Sequence, residues 1–215
     1  MAVRAVIFDL DGVLVSTDEF HYRAWQRLAD EEGIPFDREA NNRLRGVGRM
    51  QCLEIMLERS PRSYTPNEKA ALADRKNRYY RESLKALSPA DVLPGAWEVL
   101  RGLKARGVKV AVASSSRNAP EILRRTGLAG VPDATADGND ITRSKPDPEV
   151  FLVAARRLGV APAECLVVED AASGVEAAAA AGMPCLAVGA AAGHPLANLS
   201  AADLASVTLD DILRT

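Results

Sequence analysis

Short runs of β-branched and aliphatic residues recur along the chain, separated by stretches with helical periodicity. The first run, residues 3–8 (VRAVIF), stops at Asp9-Leu10-Asp11-Gly12, two acids one residue apart before a glycine. Such a run predicts a buried strand ending in a polar turn. Residues 108–113 (VKVAVA), 165–168 (CLVV) and 184–188 (PCLAV) repeat the pattern. Between and after them the spacing predicts helices over 96–106, 119–126, 148–158 and 174–181, followed directly by Gly107, Gly127, Gly159 and Gly182. A glycine just past the last helical residue is a usual stop, because it enters the left-handed conformation without steric cost. Strands alternating with helices imply a parallel sheet covered on both faces, a doubly wound, Rossmann-like α/β core.

Residues 17–87 break this rhythm and contain no convincing strand. Tyr22, Trp25, Leu28 and Ala29 lie on one helical stripe, and Gly33 ends it. Thr65-Pro66-Asn67-Glu68 has the form of a capping box with proline in the first turn, and the helix it starts runs towards Ser88-Pro89. The expected organisation is an α/β core from 1–16 and 88–215 with a helical cap, 17–87, inserted after the first strand. Two chain crossings would join them and serve as hinges.

Composition narrows the class only a little. The 215 residues are 47% hydrophobic and 26% charged with a net charge of −2, an ordinary globular balance. No basic surface points to nucleic acid, and no apolar run approaches the roughly 18 residues of a membrane span. Cys52, Cys165 and Cys185 are too sparse and scattered for a disulfide framework or a zinc site. The segment before Asp9 is too short for a signal peptide. A cytoplasmic protein with no nucleic-acid or membrane partner is expected, and nothing demands more than a monomer.

The chemistry gathers at the strand ends, where ligands of doubly wound sheets bind. The first strand delivers Asp9 and Asp11, the second Ser114, Ser115 and Ser116, and a third Glu169 and Asp170; Lys145 lies in the polar loop Ser144-Lys145-Pro146-Asp147-Pro148. Four convergent carboxylates cannot all ionise without a cation. Magnesium suits an all-oxygen donor set beside a phosphate. Asp9 and Asp11 alternate along an extended segment and can point the same way. One can then act as nucleophile and the other as general acid and base, with Lys145 and Ser114 holding phosphoryl oxygens. Taken singly, Ser114 reads as an ordinary helix cap and Lys145 as a solvated surface lysine.

Phe8-Asp9-Leu10-Asp11-Gly12-Val13, Ser114, Lys145-Pro146 and Glu169-Asp170 together resemble the four-motif signature of the haloacid dehalogenase superfamily. The helical insert resembles that superfamily's C1-type cap. Its segments 21–25 (HYRAW), 45–49 (RGVGR) and 75–77 (RKN), with 88–92 (SPADV) and 114–118 (SSSRN) beyond it, are similar to those of sugar-phosphate mutases within it. The resemblance implies interconversion of β-glucose 1-phosphate and glucose 6-phosphate, with a sugar-phosphate phosphatase as the alternative. It implies one Mg2+ per chain and glucose 1,6-bisphosphate as activator, the partner being a small-molecule sugar phosphate. Asp9 would become an aspartyl phosphate and Asp11 the acid–base. Asp9, Asp11 through its carbonyl, and Asp170 would hold the metal, with Glu169 close by. Ser114, Ser115 and Lys145 would grip the transferring phosphate, and Arg49, Ser116, Arg117 and Asn118 the other one. Gly46, Val47 and Lys76 would line the sugar, while Thr17 and His21 would couple cap closure to Asp11. Cys52, Arg45 and Val15-Ser16 depart from the mutase pattern, which has a serine, a lysine and an acidic stretch there.

Overall fold

The computed structural model describes residues 3–214. Residues 1, 2 and 215 of the expected core segments lie outside the described residues. Chain order is β1 (Ala5–Phe8), α1 (Asp18–Glu32), α2 (Arg38–Asn42), α3 (Arg49–Leu57), α4 (Pro66–Ser83), α5 (Ala96–Ala105), β2 (Lys109–Ala113), α6 (Ala119–Thr126), β3 (Ala134–Ala136), α7 (Glu149–Leu158), β4 (Cys165–Glu169), α8 (Ala172–Ala180), β5 (Cys185–Ala187), β6 (Leu199–Ser200) and α9 (Leu209–Leu213). The six strands form one sheet in the order β3-β2-β1-β4-β5-β6, and every pairing is parallel. Strand order reverses at β1, so the crevice for a ligand opens at its carboxyl end.

The sheet is central because β1 is apolar on both sides. Val6 and Phe8 face a layer containing Leu100, Leu103 and Ile122, whereas Ala5 and Ile7 face Val150, Phe151 and Val175 on the other. This is the period-two division expected of a strand buried on both faces. Gly127 and Gly159 end α6 and α7 in the left-handed conformation, as their position in the sequence predicts. β3 and β6 have three and two residues, too short to stand out as apolar runs, and sequence reading missed both.

Between β1 and α5 the chain forms helices α1 to α4, with no strand among the described residues. Thr65 accepts from the Glu68 backbone N–H while the Glu68 carboxylate accepts from the Thr65 backbone N–H, the capping box its sequence announces. These helices enclose their own core of Trp25, Leu28, Leu53, Met56 and Leu72. The two crossings run side by side: Ser16 donates to the Asp91 carbonyl at 3.0 Å and Leu93 to the Leu14 carbonyl at 2.9 Å, with Val15 bridging Val92 in antiparallel fashion. Among the described residues no helix is long and apolar enough to cross a membrane.

Leu53 is fully buried in the cap core, so Leu53→Ala is expected to cost about 2–5 kcal/mol in urea unfolding, through lost transfer energy and a cavity. Leu152→Ala, at a position 38% exposed, should change stability by no more than about 0.5 kcal/mol.

Candidate active site

Asp9 follows the last residue of β1 directly, and its backbone N–H donates to the Val168 carbonyl at 2.9 Å. Phe8 is in register with both Val112 and Val168, so the next residue on each strand comes to the same rim. Lys145 Nζ donates to Asp9 Oδ1 and to Glu169 Oε1. The lysine is 1% exposed; the solvated alternative does not describe it. Burial alone would pull its pKa down, but the two carboxylates hold it above the ordinary lysine value.

Asp9, Glu169 and Asp170 are all buried, and one carboxylate oxygen of each lies within 4.8 Å of the others. Burial is the main cause that pushes Asp9 well above the usual carboxylate range, with Lys145 pulling the other way. Burial, then the Glu169 charge, pushes Asp170 up to about 7. Carboxylates this reluctant to ionise gain from a cation, and an all-oxygen, hard donor set fits a divalent ion such as Mg2+. Glu169 has less to offer it, because Oε2 already accepts from the Asp170 and Ala171 backbone N–H groups at 2.8 and 2.9 Å. Gly12 lets Asp170 approach: its φ is +88°, and a Cβ there would lie 2.1 Å from Asp170 Oδ2.

The Asp11 carboxylate stands apart from that trio and accepts a hydrogen bond from Thr17 Oγ1. Burial raises its pKa to about 6, and the Thr17 bond partly opposes the rise. Ser114 is buried, and its Oγ accepts from the Ser116 N–H at 3.1 Å. It is not a helix cap, since α6 begins later with Asn118 at its N-cap. Ser115 Oγ is buried without a hydrogen-bond partner.

A cleft of about 520 Å³ separates this rim from the cap. Of the site residues named from sequence, Asp9, Asp11, His21, Gly46, Val47, Arg49, Lys76, Ser114, Ser115, Ser116, Arg117, Asn118 and Asp170 line it. Thr17, Lys145 and Glu169 sit behind the lining, fully or almost fully buried. The cap loop before α3 lies close to the core: a Cβ on Gly46, whose φ is +72°, would be 2.5 Å from Ser173 Oγ. Asn118 Nδ2 donates across to Asn77 Oδ1 at 3.0 Å. Arg45 pairs with Asp18 and places Nη1 3.9 Å from Asp170 Oδ2. Cys52 gives its S–H to the Leu44 and Val47 carbonyls at 3.3 and 3.5 Å, and burial pushes its pKa up to about 11.

Cations gather on the far wall. Arg49 makes no hydrogen bond or ion pair among the described residues, and burial followed by the Arg117 charge lowers its pKa. Lys76 Nζ meets His21 Nδ1 at 2.9 Å and lies 4.7 Å from the Trp25 and Tyr80 ring centres. Burial chiefly depresses His21, with Lys76 and Arg49 adding to the effect, so the ring is neutral and Nδ1 accepts. Sequence reading missed Tyr80, which also lines the cleft. Its signal was available: it follows Lys76 by four residues on α4, one turn along the same face.

A switch-point aspartate bound to a buried lysine, beneath helices inserted after β1, brings together the motifs whose sequence resembles the haloacid dehalogenase superfamily. The chain belongs to the haloacid dehalogenase-like hydrolase family, whose model matches residues 3–182. It is 43% identical to β-phosphoglucomutase of Bacillus subtilis (strain 168), over 97% of this chain and 93% of that one. It is also 33% identical to fructose-1-phosphate phosphatase YqaB of Escherichia coli (strain K12), over 83% of this chain and 92% of that one. The crystal structure of β-phosphoglucomutase from Clostridium difficile superposes with a TM-score of 0.92 at 35% identity, covering 98% of this chain and 95% of that one.

Burial drives the Lys76 pKa down from 10.5 to about 7. Between those values the unfolded chain binds the extra proton, so this group makes the protein more stable as pH rises and less stable as pH falls through 7. The gain in urea midpoint from pH 7 to pH 9 should therefore shrink in Lys76→Met.

Proposed function

We propose that the protein is a β-phosphoglucomutase, interconverting β-glucose 1-phosphate and glucose 6-phosphate with glucose 1,6-bisphosphate as activator. The observation that carries this is the unpaired Arg49 on the cap, within the field of Arg117 on the core. The Asp74 carboxylate offsets less of the Arg49 charge's cost than burial and Arg117 impose, and two like charges facing one cleft gain when an anion joins them. Arg forks suit phosphate oxygens. A mutase must hold one phosphate at the nucleophile and the other out of reaction, so it needs this second site; hydrolysis of a monophosphate does not.

In the first half-reaction an Asp9 oxygen attacks phosphorus of the bisphosphate. The bond from phosphorus to the sugar oxygen breaks, and Asp11 gives that oxygen its proton. That sugar monophosphate leaves as product, and the isomeric monophosphate binds with its free hydroxyl towards the aspartyl phosphate. In the return half Asp11 takes the proton from a sugar hydroxyl, whose oxygen attacks the aspartyl phosphate and frees Asp9. Lys145, Ser114 and Ser115 hold the moving phosphoryl oxygens, while Arg49, Ser116, Arg117 and Asn118 hold the idle phosphate. Gly46, Val47 and Lys76 face the sugar, and Thr17 and His21 link the cap to Asp11. One Mg2+ held by Asp9, Asp170 and the Asp11 carbonyl would neutralise charge on the phosphoryl group. The cap keeps water from the phosphoenzyme.

The second possibility, a sugar-phosphate phosphatase, is favoured by the similarity to fructose-1-phosphate phosphatase. Supplied with β-glucose 1-phosphate, Mg2+ and catalytic bisphosphate, the protein is expected to make glucose 6-phosphate well in excess of free phosphate. Arg49→Ala should cut glucose 6-phosphate formation roughly 10- to 100-fold, the cost of a charge-assisted contact, and Asp9→Asn should abolish it. Free phosphate as the main product, undiminished in Arg49→Ala, would assign the phosphatase instead.

A further inference from the structure

Tyr80 is 1% exposed, yet its hydroxyl is buried without any hydrogen-bond partner. A buried phenol normally finds an acceptor, because leaving its donor unsatisfied is costly. The ring is fixed: it packs on His21 with centroids 3.9 Å apart, and Lys76 Nζ lies 4.7 Å from its centre. His21, on which the ring packs, donates its backbone N–H to the Thr17 carbonyl at 3.0 Å, which brings Thr17 to the phenol; the Asp11 and Asp18 carboxylates lie in its field and, after burial, help hold its pKa well above the ordinary tyrosine value.

Thr17 has the matching vacancy. It is fully buried, and its one proton goes to Asp11 Oδ1. No donor reaches its Oγ1 among the described residues, although a hydroxyl has two lone pairs to offer. Tyr80 thus has a donor without an acceptor, and Thr17 an acceptor without a donor.

We propose that Tyr80 is a positioning residue for Asp11: its hydroxyl donates to Thr17 Oγ1, whose own hydrogen is thereby held on the Asp11 carboxylate. A donor received at Oγ1 leaves the threonine proton one direction to point, and chained hydrogen bonds polarise one another. Because Tyr80 belongs to α4 of the cap and Asp11 follows β1 of the core, the chain Tyr80→Thr17→Asp11 aligns the acid–base group through the cap. It does so without Tyr80 touching the substrate. The inference rests on the acid–base role proposed for Asp11 and adds a residue to it.

The test compares Tyr80→Phe, Thr17→Val, the double variant and Asp11→Asn, measuring both glucose 6-phosphate and free phosphate so that either product reports turnover. Tyr80→Phe keeps the ring and its packing, so it should lower kcat about tenfold, the scale of one hydrogen bond. KM should stay within about twofold, and the melting temperature should not fall. The double variant should be no slower than Thr17→Val alone, since both changes break one chain. Full kcat in Tyr80→Phe beside an inactive Asp11→Asn overturns the inference and leaves the proposed function standing. Losses that multiply in the double variant, or that follow a drop in melting temperature, also overturn it. Turnover that survives Asp11→Asn overturns the acid–base role and the inference together.

Discussion

A buried ammonium held between two buried carboxylates organises the site. Removing Lys145, Asp9 and Glu169 from water costs several kcal/mol per ion in general, and only close pairing returns it. The fold provides that pairing from three distant parts of the chain. β1 brings Asp9, the loop before α7 brings Lys145, and β4 brings Glu169, whose second oxygen is tied to two backbone N–H groups. The constraint extends to small residues. A Cβ on Gly174 would lie 1.9 Å from Glu169 Oε1, and one on Gly12 would collide with Asp170. Glycines at these places are the condition for packing acids so densely.

The cap solves a different problem. Its helices close over their own apolar core, so its shape does not depend on packing against the sheet. The paired crossings at Val15 and Val92 form a narrow joint. On the cleft side it presents the cations Arg45, Arg49 and Lys76 together with Asp18 and Asp74, opposite a core rim rich in carboxylates and hydroxyls. Arg49 and Lys76 have depressed pKa values, chiefly through burial, and a bound anion would relieve that cost.

Much of this was legible in the chain. Apolar runs located β1, β2, β4 and β5, two of them ending in acids, because a strand buried on both faces needs uninterrupted aliphatic residues. Terminal glycines and the Thr65–Glu68 box marked helix ends, because these depend on local backbone geometry. β3 and β6 were not legible, since strands of three and two residues depend on a neighbour for their hydrogen bonds. Ser114 looked like a cap and Lys145 like a surface charge when each was taken alone. Burial decided both cases, and burial belongs to the assembled molecule.

By itself the sequence determined the alternation that makes a parallel sheet, the insertion of a helical unit after β1, and the set of acids, hydroxyls and cations available for phosphoryl chemistry. These follow from short-range periodicity and residue type. Only the tertiary structure decided that Glu169 spends its oxygens on Lys145 and the backbone, that Asp11 turns to Thr17, and that Tyr80 comes to rest beside them with its hydroxyl unpaired. Such choices depend on which side chains are brought together after water has been excluded. Hydrogen-bond satisfaction and charge pairing in a buried space are properties of neighbours in three dimensions, not of neighbours along the chain.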